Sequence, residues 1–206
     1  FIKLTYFLYI LSMIVLIGPN SRATKNQMIV SKQLGRICSK NKILCIHGGG
    51  DGTMLAVTEG ILESNVTLEE EQCLVDVSSF CKVVSPTDMM SDNEIYNRVL
   101  DKTLVKDIHE RIGMLLEFSN QCKYIVCYAG GIGTIHEFLS FLVYWYKEPE
   151  KMPEILLCDV DFQGWTVILI NLLKSLVIPE RPYMSILMNK INVVSSKELY
   201  KKIECI

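Results

Sequence analysis

Two glycine-rich turns constrain this chain most, because each sits between a short apolar run and the start of a helix-length segment. In the first, Ile43–Ile46 runs through His47 into Gly48, Gly49, Gly50, Asp51, Gly52 and Thr53. In the second, Tyr124–Tyr128 runs through Ala129 into Gly130, Gly131, Ile132, Gly133 and Thr134. Glycine suits such a junction because backbone amides must face a ligand at close range. The helix start adds unpaired N–H groups and a partial positive charge. Together these features make an anion site. Thr53 and Thr134 fall in the first helical turn, placed to cap the helix or to touch a phosphate oxygen. One such turn is a common tight connection. Two of them, at the carboxyl ends of neighbouring parallel strands, mark the crevice in which open α/β sheets bind ligands.

The rest of the chain supplies a frame for these turns. Apolar runs at Met13–Ile17, Ile43–Ile46, Cys81–Val84, Tyr124–Tyr128, Ile155–Cys158 and Ile191–Val194 predict six strands. Helical patterns lie between them. Lys25–Ser39 carries Met28, Ile29, Leu34 and Ile37 on one stripe. Further helices are predicted over Met54–Leu62, most of Glu94–Asn120, the stretch from the second turn to Tyr146, and Phe162–Leu176. Ser196–Ile203 closes the chain, capped by Ser195 or Ser196. Strand-to-helix alternation predicts an α/β fold: one parallel sheet with helices on both faces, joined by right-handed crossovers. Ser64–Ser79 reads as a solvated insertion and Thr87–Asn93 as a mobile polar loop near the ligand. The 206 residues suit one domain over residues 12–206, with residues 1–11 as an N-terminal extension. Ser12–Gly18 reads as the central strand, which argues against a cleaved signal peptide and confines any membrane role to residues 1–11.

With 21 Lys and Arg against 23 Asp and Glu, the net charge is −2, so there is no basic field for nucleic acid. A small anion needs no such field at a helix terminus. The 8 cysteines form no CxxC pair and no zinc-like spacing, and several lie within apolar strand runs. They read as small hydrophobes of a reduced, cytoplasmic protein without a metal. His47 and His136 flank the two turns and lack a second ligand at metal spacing, so they read as polar residues near the crevice. Trp145 and Tyr146, ending a long apolar helix, read as core or dimer contacts.

The run Gly48-Gly49-Gly50-Asp51-Gly52-Thr53-Met54 resembles the first glycine signature of the LONELY GUY ("lysine decarboxylase-like") family of nucleoside monophosphate phosphoribohydrolases. Ala129-Gly130-Gly131-Ile132-Gly133-Thr134-Ile135-His136-Glu137 resembles its second. The order of elements is similar from Ile14 to Ile203. The resemblance implies a single Rossmann-like domain, commonly a homodimer, that needs no metal or redox cofactor. It implies hydrolysis of a nucleoside 5′-monophosphate, of the AMP or cytokinin riboside type, to free base and ribose 5-phosphate. Gly130–Thr134 would cradle the phosphate and Gly48–Thr53 would face the ribose. Glu137 would be the catalytic carboxylate, which suits a reaction that builds oxocarbenium charge. Arg111, in His109-Glu110-Arg111, would grip the nucleotide, with Arg98 as a fallback cation. The chain departs from the family in three places. The gap from Arg111 to Gly130 is longer by nearly one helical turn, Ile112 replaces a lysine, and Ala129 replaces a proline.

Two other functions fit parts of the pattern. Gly49-Gly50-Asp51-Gly52-Thr53 is also a kinase signature, in which Asp51 orients a hydroxyl or magnesium near ATP. That reading leaves the second turn and Glu137 unexplained. The third is a non-catalytic nucleotide sensor or small-ligand carrier on the same fold, since fold does not fix function.

Overall fold

The computed structural model describes residues 12–70, 80–161, 163–176 and 182–206. The expected extension at residues 1–11 lies outside the described residues, as do Cys73, Phe162 and the part of the expected insertion beyond Glu70. Strand β1 (Ser12–Ile17) is an unbroken apolar run whose Ile14–Ile17 are all buried, and such a strand belongs in the middle of a sheet covered on both faces. It pairs in parallel with β2 (Ile43–His47) on one side and β5 (Tyr124–Tyr128) on the other. In register, Leu16 stands beside His47 and Val126. Beyond β2 lie β3 (Cys81–Pro86) and β4 (Asp101–Val105); beyond β5 lie β6 (Glu154–Cys158) and β7 (Ile191–Val194). All pairs in this 7-stranded sheet are parallel, with the order β4-β3-β2-β1-β5-β6-β7.

Two helical layers cover the sheet. On one face, Ile14, Leu16, Cys45 and Val126 pack with residues of α1 (Lys25–Lys40), α2 (Thr53–Glu70) and α7 (Ser196–Glu204), among them Leu34, Val57 and Leu199. On the other, Val15, Ile17, Ile46 and Ile125 pack with α3 (Ile108–Ser119), α4 (Ile132–Trp145) and α5 (Gln163–Ser175), through Leu115, Phe138 and Leu173. A further helix, α6 (Pro182–Asn189), precedes β7. Helices α1 and α2 touch closely because Gly35 and Gly60 lie at their contact. A Cβ on Gly60 would run into the Lys32 carbonyl, and one on Gly35 into the Val57 carbonyl. Capping boxes start α1 at Thr24, with Gln27, and α7 at Ser195, with Glu198.

The structure corrects four expectations. Glu94–Asn120 is not mostly helical: it holds a short 3-10 segment (Glu94–Arg98), then strand β4, then α3. β4 is an edge strand with only Val105 buried, so it lacks the apolar run that marks a central strand. Ser64–Glu70 continues α2, and upstream on that helix Glu63 pairs with Lys32 at 2.5 Å and Arg36 at 2.8 Å on α1. Met28 and Ile29 are exposed; the buried stripe of α1 is Gln27, Val30, Ser31, Leu34, Ile37 and Cys38. Helix α6 was not foreseen. Among the described residues all seven cysteines are free, with Cys38, Cys45, Cys81, Cys127 and Cys158 buried, and burial pushes the Cys81 and Cys127 thiols upward. No helix of the described residues is long and apolar enough to cross a membrane.

Candidate functional site

The chain builds outward from β1 to β4 on one side, then crosses back to β5 and builds outward to β7 on the other. The order therefore reverses at β1 and β5, and the turns at their carboxyl ends form the crevice where sheets of this kind bind ligands. Contrary to expectation, the strands that carry the two glycine turns are not neighbours: β2 and β5 flank β1, and the turn after β1 lies between the two glycine turns and is packed against both. The Pro19 carbonyl accepts from the Thr53 amide at 3.3 Å and the Thr53 hydroxyl at 3.2 Å. The Pro19 nitrogen stands 3.2 Å from the place a Cβ on Gly130 would occupy. Gln27, buried on α1, donates to the Ala129 carbonyl at 2.9 Å.

The glycine turns look alike in sequence and differ in structure. The first is buried from Gly48 to Gly50, and several of its polar groups are paired within the protein. Gly49 and Gly52 have φ of 70° and 66°, the left-handed region that side chains resist. The Gly49 N–H donates to His47 Nδ1 at 3.2 Å, and the Gly49 carbonyl accepts from the Ser91 amide at 3.0 Å. Tyr96 donates its hydroxyl to the Gly50 carbonyl at 2.5 Å, and Ser91 donates its own to the Asp51 carboxylate. The polar stretch Thr87–Asn93 thus lies down on the first turn through Ser91. Of the residues expected to face a nucleotide here, Gly48, Gly49, Gly50, Gly52 and Thr53 are buried and Asp51 is half-buried.

The second turn is open. Gly131 is the N-cap of α4 in extended backbone, and no side chain caps the helix. Gly131, Ile132 and Gly133 are exposed, and a Cβ on Gly131 or Gly133 would meet nothing within 4 Å. The first N–H groups of a helix have no partner within it, so this helix start can receive an anion. Thr134 is buried, with its hydroxyl packed against Gly130.

Glu137, farther along α4, is 6% exposed, and Arg111, in the first turn of α3, is 9% exposed. The two form a buried ion pair, Arg111 Nη2 donating to Glu137 Oε1. Asp107 sets the start of α3 by accepting from the His109 and Glu110 amides at 2.9 and 3.0 Å, which places Arg111 on the inner face. The guanidinium lies on Gly48, its Cζ 3.0 Å from where a Cβ would sit, so a side chain at 48 would press on the arginine. Arg111 Nε is buried without a hydrogen-bond partner. Burial raises the Glu137 carboxyl above its usual range, and Arg111 pulls it back only in part. A carboxylate held in this way can act as a base near neutral pH and can face developing positive charge.

Arg111 and Glu137 were chosen from sequence, and the fold brings them together despite the lengthened segment between them. Arg98 lies exposed on the 3-10 segment, and His136 is exposed on α4. His47 is fully buried beneath the first turn. Trp145 is core, its Nε1 donating to Ser119 at 3.3 Å. Among the described residues no group of three His, Cys, Asp or Glu is gathered to hold a metal. Sequence reasoning missed Pro19, Gln27, Ser91 and Tyr96 as the framework of the site. Pro19 carried a signal in the Gly18-Pro19-Asn20-Ser21 turn that ends the first strand, and Ser91 in the polar stretch Thr87–Asn93 expected near the ligand.

A parallel sheet with an open, glycine-started helix beside its switch point defines a Rossmann-like α/β protein. Sixty-one chains among solved structures match this one, and the three that follow share its fold over nearly the whole chain. The structural-genomics target TM1055 matches at 19% identity and TM-score 0.60, covering 95% of this chain and 100% of its own. The molybdenum cofactor carrier protein of Chlamydomonas reinhardtii matches at 15% identity and TM-score 0.61, over 94% and 96% of the two chains. The molybdenum cofactor binding protein of Rippkaea orientalis matches at 17% identity and TM-score 0.57, again over 94% and 96%. At these identities the likeness is one of fold. No protein-family model matches the sequence, and no curated protein does.

Proposed function

We propose that this protein hydrolyses the N-glycosidic bond of a nucleoside 5′-monophosphate, of the AMP or cytokinin riboside type, releasing free base and ribose 5-phosphate. One observation carries the reading: Glu137, buried and paired with Arg111 of α3, stands on the same helix whose open start is ready for a phosphate. The phosphate lies on the amides of Ile132–Thr134, and the sugar extends along α4 toward Glu137. As the base departs, its bond to C1′ breaks and positive charge grows on the ribose. The Glu137 carboxylate stabilises that charge and takes a proton from the water that adds to C1′, while the base leaves with the electron pair and takes a proton from solvent, to which Glu137 later returns its own. Arg111 holds the carboxylate ionised and presents its unpartnered Nε–H to the ligand. Braced from behind by His47, Ser91 and Tyr96, the first turn forms a wall of the site, and the second turn takes the anion.

The test is release of base from AMP by the wild type and by Glu137→Gln. We expect Glu137→Gln to lower kcat by roughly 10²–10⁴-fold and to leave the calorimetric Kd for AMP within a few-fold. Wild-type protein that binds AMP without releasing base would instead support a second reading, a small-ligand carrier. That reading is supported by a molybdenum cofactor carrier protein and a molybdenum cofactor binding protein among similar folds.

The protein acts as a homodimer in this reading. Val143, Ile168, Leu172 and Leu176 are 51–75% exposed on α4, α5 and the residue after it. Val143 and Leu176 line a depression of about 530 Å³ between α4, α5 and α6, together with Leu139, Leu142, Leu173 and Leu187, and Ile168 and Leu172 are exposed on α5. So large an apolar face on the active helix suits a second copy of the chain.

A further inference from the structure

His47 ends β2 directly beneath the first glycine turn, and its ring is fully buried. Both ring nitrogens are engaged. Nδ1 accepts from the Gly49 N–H at 3.2 Å. Nε2 lies 3.0 Å from the Thr58 hydroxyl, which spends its own proton on the Met54 carbonyl at 3.0 Å and so accepts from the ring. The Cys81 sulfur, 3.4 Å from Nε2, completes the surroundings. These contacts select one tautomer, with Nδ1 bare and Nε2 protonated. Burial and the nearby Arg111 charge depress the ring to about 3, so it stays neutral through the working pH range. Gly49 needs such an anchor, because its left-handed backbone is one that only a specific contact selects among glycine's many. The adjoining Gly48 is the residue on which the Arg111 guanidinium lies.

We propose that His47 is a positioning residue: through its bare Nδ1 it fixes the Gly48–Gly49 peptide, and that peptide seats Arg111 against Glu137. Its effect on turnover rests on the phosphoribohydrolase reading; the hydrogen bond and its effect on Glu137 do not. Two substitutions separate this role from mere filling of space. In His47→Asn the side-chain oxygen falls near the place of Nδ1 and can still accept from Gly49. In His47→Gln the amide reaches the place of Nε2 and keeps Thr58, and Gly49 loses its acceptor.

The experiment measures amide hydrogen exchange at Gly49 and the ¹³C titration of the Glu137 carboxyl by NMR in the full chain. The groups facing Glu137 are Arg111 from α3, Cys127 from β5 and His136 on its own helix, and all three are common to both variants. We expect His47→Asn to keep Gly49 protection and the wild-type Glu137 titration. We expect His47→Gln to lower Gly49 protection roughly tenfold and to move the Glu137 titration to higher pH as Arg111 loses its seat. Equal Gly49 protection, or equal Glu137 titration, in the two variants would overturn the proposal. So would a wild-type His47 ring whose ¹⁵N signals place the proton on Nδ1, a result that needs no variant. Should His47→Gln fail to fold, Thr58→Val removes the acceptor that selects the tautomer, and Gly49 protection is then expected to fall several-fold; no fall overturns the proposal. If AMP is hydrolysed, the acid limb of the rate profile moves to higher pH with Glu137 in His47→Gln and stays at its wild-type position in His47→Asn. If no variant hydrolyses AMP, the phosphoribohydrolase reading fails while the NMR outcome still decides the role of His47.

Discussion

A carboxylate inside a protein needs a partner, and the state of Glu137 depends on Arg111. Burial alone disfavours the charged form, and the guanidinium offsets part of that penalty. Arg111→Ala leaves the carboxylate buried without a cation, and we expect it to lower stability at neutral pH by about 3 kcal/mol. The loss should shrink as pH falls. Without Arg111 the folded-state carboxyl is raised further above its unfolded value, and a raised carboxyl favours the folded state only while protonated. The penalty therefore applies above the folded pKa and fades below it. Urea denaturation of wild type and variant at neutral and mildly acidic pH measures this, and an equal loss at both would contradict it. The same carboxyl sets activity: the rate falls with acid through a pKa above the usual glutamate range, and that limb lies higher still in a residually active Arg111 variant.

At the scale of elements, two similar glycine turns end in different work, and the difference is open to test at the start of α4. Gly131 has an extended N-cap backbone, no capping side chain, and free space where a Cβ would point. Gly131→Asp should therefore cap the helix and raise stability by about 1 kcal/mol. The same carboxylate would occupy the anion's place, so AMP binding should be lost; thermal denaturation and calorimetry read the two effects separately. A variant that is more stable and still binds AMP would remove the phosphate from this helix. Gly60→Ala should do the opposite, because its methyl group meets the Lys32 carbonyl across the α1–α2 contact. Stability should fall by about 2 kcal/mol, with AMP affinity unchanged in the folded fraction. Much of this framework was legible in the sequence. Five of the strands showed as apolar runs because they are covered on both faces, and β7 showed as one although it is an edge strand with only Val194 buried. β4 did not, since Asp101, Lys102, Thr103 and Leu104 are not buried at the sheet edge. The α1 stripe differs from the apolar pattern because its inner face carries Gln27 and Ser31, polar residues that hydrophobicity does not mark as buried. The contrast between the turns was illegible because it depends on Ser91 and Tyr96, which reach the first turn from beyond β3.

For the molecule as a whole, the open crevice and the apolar face meet on α4, which carries Gly133 and Glu137 near one end and Val143 near the other. Sedimentation should give twice the 23.5 kDa chain mass, and Val143→Asp combined with Ile168→Asp should reduce it to the monomer. A wild type that sediments as a monomer at all concentrations would refute the homodimer and leave the site reading intact. The central claim is that the open helix start and the buried Arg111–Glu137 pair together hydrolyse a nucleoside monophosphate. The most direct measurement is the appearance of ribose 5-phosphate and free base from AMP, followed in the presence of a chelator, for wild type and Glu137→Gln. The account predicts stoichiometric release of both products by the wild type and a loss of roughly 10²-fold or more in the variant. Release that Glu137→Gln does not diminish, or no release by a wild type that binds AMP, would contradict it.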